Sequence, residues 1–198
     1  MIILQRFAGS ANGRPMDSES INLGPTPSPA ANLYKFMARI LTQTFGVVGG
    51  LLERDGKILL VREAQKKADY GKWSHPAGWI EVGENPIEAV KREVQEESGF
   101  SFTPRYVLGV YSLVRRDIEK ELGAIPHAIK IIFIGDISEI QNGNLHGDVS
   151  ETRWFSPNEI YSMGQETLRD LDIKQMVRDY FAGKKFPLEM VTHTVAKK

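Results

Sequence analysis

Residues 78–100 read GWIEVGENPIEAVKREVQEESGF, and their spacing decides how the middle of the chain folds. Asn85 suits a helix cap, Pro86 the first helical position, and Glu88 falls where a capping box needs an acid. Gly99 can close the far end in the left-handed conformation. The pattern predicts a helix over 86–98. At about 100° per residue, Ile87, Val90 and Val94 fall within an arc of about 60°, the core face. Glu93, Glu96 and Glu97 occupy an adjoining arc of about 100°, together with Ala89. The carboxylates therefore flank the buried stripe instead of opposing it.

That placement is electrostatically unfavourable. Like charges at i, i+3 and i+4 repel by a few tenths of a kcal/mol per pair. In the last turns the helix dipole disfavours each negative charge by roughly 0.3–1 kcal/mol, and no cation stands there to offset it. A solvated acidic face is the competing reading of any Glu-rich helix. A local rule broken repeatedly in one place instead marks a functional site, and clustered carboxylate oxygens suit a hard divalent cation such as Mg²⁺.

Working outward, the 198 residues allow one domain with extensions and a substantial core. Twenty-five basic residues balance twenty-five acidic ones, so no global field favours nucleic acid or a membrane surface. Cysteine is absent, which excludes disulfides, thiolate metal sites and Cys nucleophiles and fits a reducing compartment. No apolar run approaches the ~18–20 residues of a membrane span, and the first residues lack a basic leader region. The expectation is a cytoplasmic protein.

Three parts are expected: an N-terminal extension over 1–41, a catalytic domain over 42–183 and a tail over 184–198. Residues 8–31 have linker composition. Leu33, Phe36, Met37 and Ile40 then recur at helical spacing, giving a short amphipathic helix that packs on the domain or across a homodimer interface. Residues 43–64 read as two strands joined through Asp55-Gly56. Residues 106–114 and 128–137 read as strands, separated by a charged loop that faces substrate. A short strand at 152–155, a helix starting at Ser156-Pro157 and a final helix over 168–181 complete the pattern. The connections do not form a regular βαβ series, so the expected class is α/β (α+β) with a mixed sheet.

The quoted segment matches the Nudix box, G-x5-E-x7-R-E-U-x-E-E-x-G-U with U apolar. Gly78, Glu84, Arg92, Glu93, Val94, Glu96, Glu97, Gly99 and Phe100 fill its specified positions. The chain thus resembles the MutT-like Nudix hydrolases. Pro76-Ala77-Gly78 and the later TRWFSPNEI look most like small bacterial Nudix phosphatases acting on nucleoside di- and triphosphates or thiamine-precursor diphosphates. The resemblance implies an α/β/α sandwich and Mg²⁺ or Mn²⁺ held by Glu93, Glu96, Glu97 and the Gly78 carbonyl. It also implies that Arg92 and Glu84 brace the loop against the helix.

The chemistry points the same way. A diphosphate and three carboxylates repel one another unless cations lie between them, and such cations also acidify water. Glu93 is a candidate general base and Glu97 belongs to the same catalytic group. Asp148 or Glu151, before the 152–155 strand, is the alternative base. Arg62, Arg115 and Arg116 are candidate phosphate contacts, and His75 and His127 candidate substrate contacts. Three readings stand at this point: a Mg²⁺-dependent hydrolase of a nucleoside di- or triphosphate or related diphosphate, an ADP-ribose or nucleotide-sugar pyrophosphatase, and a non-catalytic nucleotide sensor on the same fold.

Overall fold

The computed structural model describes residues 44–65, 68–138, 145 and 148–196. The 1–41 extension with its expected amphipathic helix lies outside them. In β3 (Lys57–Glu63), Ile58 and Leu60 enter one core and Leu59 the other; in β7 (His127–Ile137), Ile132 and Ile134 part from Phe133 in the same way. Successive strand residues point to opposite faces, so these near-continuous apolar runs specify strands covered on both sides.

Two sheets result. The larger has the order β5-β1-β7-β6-β9, built from β5 (Ala77–Trp79), β1 (Thr44–Gly50), β7, β6 (Phe102–Val114) and β9 (Phe186–Pro187). Its β1–β7 pair is parallel and its other pairs are antiparallel. The smaller, antiparallel sheet pairs β3 with β2 (Glu53–Arg54), β4 (Trp73–Ser74) and β8 (Val149–Phe155). One core lies under α1 (Pro86–Ser98), whose Ala89, Val90 and Val94 meet Val48, Leu52, Leu59 and Phe133. The other joins Ile160 of α3 (Pro157–Ser162) and Ile173, Met176 and Val177 of α4 (Ile173–Phe181) to Leu51, Leu60, Leu108 and Ile132. The fold is an α/β sandwich with a mixed sheet. Among the described residues no helix is long and apolar enough to cross a membrane.

Several local expectations change. The first run within 43–64 divides between sheets: β1 ends in the larger sheet at Gly50, whereas the Leu52 carbonyl accepts from the Leu59 N–H at 3.0 Å and β2 pairs with β3 across the Asp55-Gly56 turn in the smaller one. Asn85 caps α1 by accepting from the Ile87 N–H, but Glu88 pairs with Lys91 at 2.7 Å instead of completing a capping box. The last helix starts at Ile173, not at 168, because Leu168 bridges to Trp73 and Asp170 is drawn into ion pairs. The tail adds β9 to the sheet edge, with Leu188 and Val191 packed on the α1-side core. The charged 115–127 segment folds into a short helix, α2 (Glu119–Leu122).

Candidate active site

Gly99 takes φ 72° and its N–H caps the Gln95 carbonyl, which fixes the last turn of α1 where the glutamates lie. Glu97 is only about 20° round the helix from Val90, so it belongs to the buried side and is 9% exposed. It accepts a hydrogen bond from the Ala77 N–H at 2.9 Å, which ties α1 to β5. Glu93 packs directly against the α-carbon of Gly78; any side chain at 78 would occupy the space of that carboxylate. A side chain at 78 therefore requires the Glu93 carboxylate to swing away from its place. Burial pushes the Glu93 carboxyl above the ordinary Glu range, while its hydrogen bond from Arg92 opposes the shift.

Arg92 organises the rest. Its Nε and Nη2 donate to the two Glu84 carboxylate oxygens, each at 2.9 Å, a bidentate pair. Nη2 also donates to the Trp79 carbonyl at 3.2 Å, and Nη1 to Glu93 at 2.7 Å and Glu96 at 3.4 Å. The hydrogen bond from Arg92 holds the Glu84 carboxyl below its usual range. One guanidinium thus faces three carboxylates, with a fourth, Glu97, on the same turn. The excess negative charge and the hard oxygen donors fit a divalent cation. Among the described residues, no three His, Asp or Glu side chains converge closely enough to hold a metal ion: Glu93 and Glu96 lean on Arg92, and Glu97 on Ala77.

Gly78, Ala77 and Trp79 also form part of the wall of a cavity of about 380 Å³. Phe45, Val47, Leu113, Ile118, Leu122 and Ala128 give it apolar surface, and Ser74, His75 and a charged network give it polar surface. The 115–127 segment therefore does border the cavity. In the network, Arg115 donates to Asp69, Asp117 and Asp170, and Lys130 to Asp170 and Asp172. Arg169 pairs with Glu63 at 2.6 Å. Burial alone would raise the Asp170 pKa, but Lys130 and Arg169 overcome it and hold the carboxyl well below its usual range.

The other sequence-predicted residues are spread around this centre. His75 borders the cavity and is buried. Arg115 borders it with its guanidinium engaged by three carboxylates. His127 lies at the start of β7, its Nδ1 with Thr44 and its Nε2 with Ser112, bracing three adjacent strands. Arg62 donates to the Gly71 carbonyl and pairs with Glu151 at 3.4 Å in an exposed position. The Asp148 carbonyl accepts from the Ala64 N–H. Arg116 is exposed. Asp148, Glu151, Arg62, Arg116 and His127 do not line the cavity. Sequence reasoning missed Lys130, Asp69 and Asp170, although a lysine inside the apolar run AIKIIFIGDI was a readable signal of a buried charge partner.

Residues 41–180 match the model of the NUDIX domain. The ADP-ribose pyrophosphatase of Methanocaldococcus jannaschii is 32% identical over 139 residues, which is 69% of this chain and 73% of that protein. Phosphatase NudJ of Escherichia coli K12 is 29% identical over 147 residues, 73% of this chain and 88% of its own. Among solved structures, a NUDIX hydrolase from Nitrosomonas europaea is similar with a TM-score of 0.66 and 30% identity, over 77% of this chain and 98% of that one. With its acidic helix, glycine-backed glutamate and mixed-sheet sandwich, the chain belongs to the NUDIX family and is a hydrolase of pyrophosphate bonds.

Proposed function

We propose that the protein is a divalent-cation-dependent hydrolase of nucleoside di- or triphosphates or closely related diphosphates. One observation carries this reading: Gly78 lies between the acidic cluster and the cavity, touching the Glu93 carboxylate and lining the pocket wall. A diphosphate whose organic half enters the cavity would leave its phosphates beside the glutamates.

Glu93, Glu96, Glu97 and the Gly78 carbonyl would hold the cation, Mg²⁺ or Mn²⁺. When bound, it supplies charge neutralisation of the phosphoryl oxygens and acidification of water. Glu93 is the proposed proton acceptor at its carboxylate, because burial raises its affinity for a proton and it borders the pocket wall. Glu151, the alternative, is exposed and paired with Arg62; Asp148 is the other alternative from the same segment. Glu84 and Arg92 hold the 79–85 loop closed on α1, and Glu97 keeps β5 in register with the helix.

A second reading, ADP-ribose or a nucleotide sugar as substrate, is favoured by the identity with the archaeal protein of that name. Incubation with Mg²⁺ and a panel of nucleoside diphosphates, nucleoside triphosphates and ADP-ribose separates the two. Release of orthophosphate or pyrophosphate supports the first. Turnover of ADP-ribose to a nucleoside monophosphate and a sugar phosphate, with the nucleoside di- and triphosphates left intact, supports the other. Tight binding with no turnover of any compound would replace both with the sensor.

A further inference from the structure

On the face of the larger sheet that meets α1, the strand registers set Val48, Ile131 and Val110 in one row. The next two rows are Gly46, Ile129 and Ser112, then Thr44, His127 and Val114. The cover given by α1 fails along this direction. Val48 is buried and Ile131 packs on the α1-side core, whereas Val110 is 63% exposed and Val114 45%. Ile129 is half-buried. Ile80, also half-buried, lays its side chain beside Gly46, which has none. An apolar surface is thus left open at the end of the sheet where β1 begins.

The polar side chains of this surface already bind one another. His127 Nδ1 is hydrogen-bonded with the Thr44 hydroxyl at 3.2 Å, and Nε2 with the Ser112 hydroxyl at 2.9 Å. Covering paired polar groups costs far less than covering free ones, so the surface can accept an apolar lid.

The same chain carries a segment of matching chemistry beside it. Leu33, Phe36, Met37 and Ile40 lie outside the described residues, and helical spacing sets all four within an arc of about 100°. Lys35 and Arg39 fall on the opposite side. A helix this short is marginal alone and needs a surface for its apolar stripe. Only residues 41–43 separate Ile40 from Thr44, a reach of about 13 Å from the start of β1. Two strand spacings, about 10 Å, lead from β1 across β7 to β6, so Gly46, Ile129 and Val114 fall within that reach. The opposite face of the sheet at this end is engaged elsewhere: Phe45, Leu113 and Ala128 share the cavity with Ile118 and Leu122.

We propose that residues 33–40 pack as an amphipathic helix, apolar side inward, on the sheet surface formed by Val110, Val114, Ile129 and Ile80 of their own chain. The docked helix supports Ile80 and with it the 79–85 loop that Arg92 and Glu84 close on α1. The proposal does not depend on the hydrolase reading.

The test uses the full-length chain, whose lack of cysteine lets engineered pairs report alone. Phe36→Cys and Ile40→Cys are each combined with Val110→Cys or Val114→Cys and oxidised mildly. Lys35→Cys with the same partners is the reference, because disulfides form only between closely placed residues. Docking predicts an intramolecular disulfide in at least one apolar-side pair, formed about tenfold faster than in the Lys35→Cys pairs. Equal rates, bonding only between copies, or preferential bonding of Phe36→Cys to Leu122→Cys on the cavity wall would overturn the proposal. Where no pair bonds, a double-mutant cycle of Phe36→Ser and Val110→Ser decides. Docking predicts that each lowers the melting temperature by about 2–4 °C and that the double variant loses clearly less than the sum. The coupling should not change with protein concentration, as it would for a contact between copies. Additive shifts, no shift, or coupling that follows protein concentration would overturn it.

Discussion

Gly78 meets two demands at once. Its missing side chain makes room for the Glu93 carboxylate, and its backbone forms part of the cavity wall. Gly78→Ala should displace Glu93 while leaving the cores untouched. Turnover is expected to fall by about a hundredfold with an unchanged circular dichroism spectrum; near-normal kcat would show that Glu93 tolerates displacement. His75 makes a separate prediction about pH. Its ordinary pKa is 6.5 and its folded value about 3. Above pH 6.5 the ring is neutral in both states and adds no pH dependence. As pH falls below 6.5, the unfolded chain gains a proton that the folded chain refuses, so stability declines until about pH 3. Between about pH 7.5 and about pH 5 the loss from this group should be about 2 kcal/mol. Urea titrations at the two values check it, and His75→Leu should flatten the difference.

At the scale of the element, α1 was the most legible part of the chain. Its bounds, its Asn85 cap and its Gly99 terminus follow from local backbone chemistry alone, which a sequence displays directly. What spacing could not show was which partners the glutamates would take, since Ala77 and Trp79 reach the helix only through the fold. Glu88 pairs with Lys91 on the next turn and not with the cap, a choice between two local partners that the pattern does not rank. Gly99→Ala, which forces a side chain into the left-handed region, should cost about 1–2 kcal/mol in chemical denaturation. Arg92→Lys keeps the charge but loses the bidentate grip on Glu84. It should lower kcat more than it lowers the melting temperature, because the 79–85 loop loosens while the α1-side core stays packed.

At the scale of the whole molecule, the mixed sheet was readable from connections that do not form a regular βαβ series, but the division into two sheets was not. Nothing local says that β1 pairs with β7 while β3 pairs with β8, because both pairings are long-range. The charged network shows the same limit: Asp69, Arg115, Lys130 and Asp170 meet only after four separate segments have folded together. Lys130→Met should leave Asp170 and Asp172 under-compensated in a buried site and destabilise the protein by about 3–5 kcal/mol, visible in thermal melting. A loss under about 1 kcal/mol would mean that solvent reaches the pair.

The assignment of the acidic cluster depends most directly on Glu97→Gln, a change that keeps the hydrogen-bond acceptor for Ala77 while removing the charge. Initial rates on the preferred diphosphate should be measured for wild type and variant across a Mg²⁺ titration, with melting temperatures recorded alongside. If the glutamates hold a cation, chelation abolishes wild-type turnover. Glu97→Gln should then lose about a hundredfold or more in Mg²⁺-dependent rate, with its melting temperature maintained. Wild-type rates that persist after chelation, or a folded Glu97→Gln with near-normal turnover, would show that the cluster is not the metal centre.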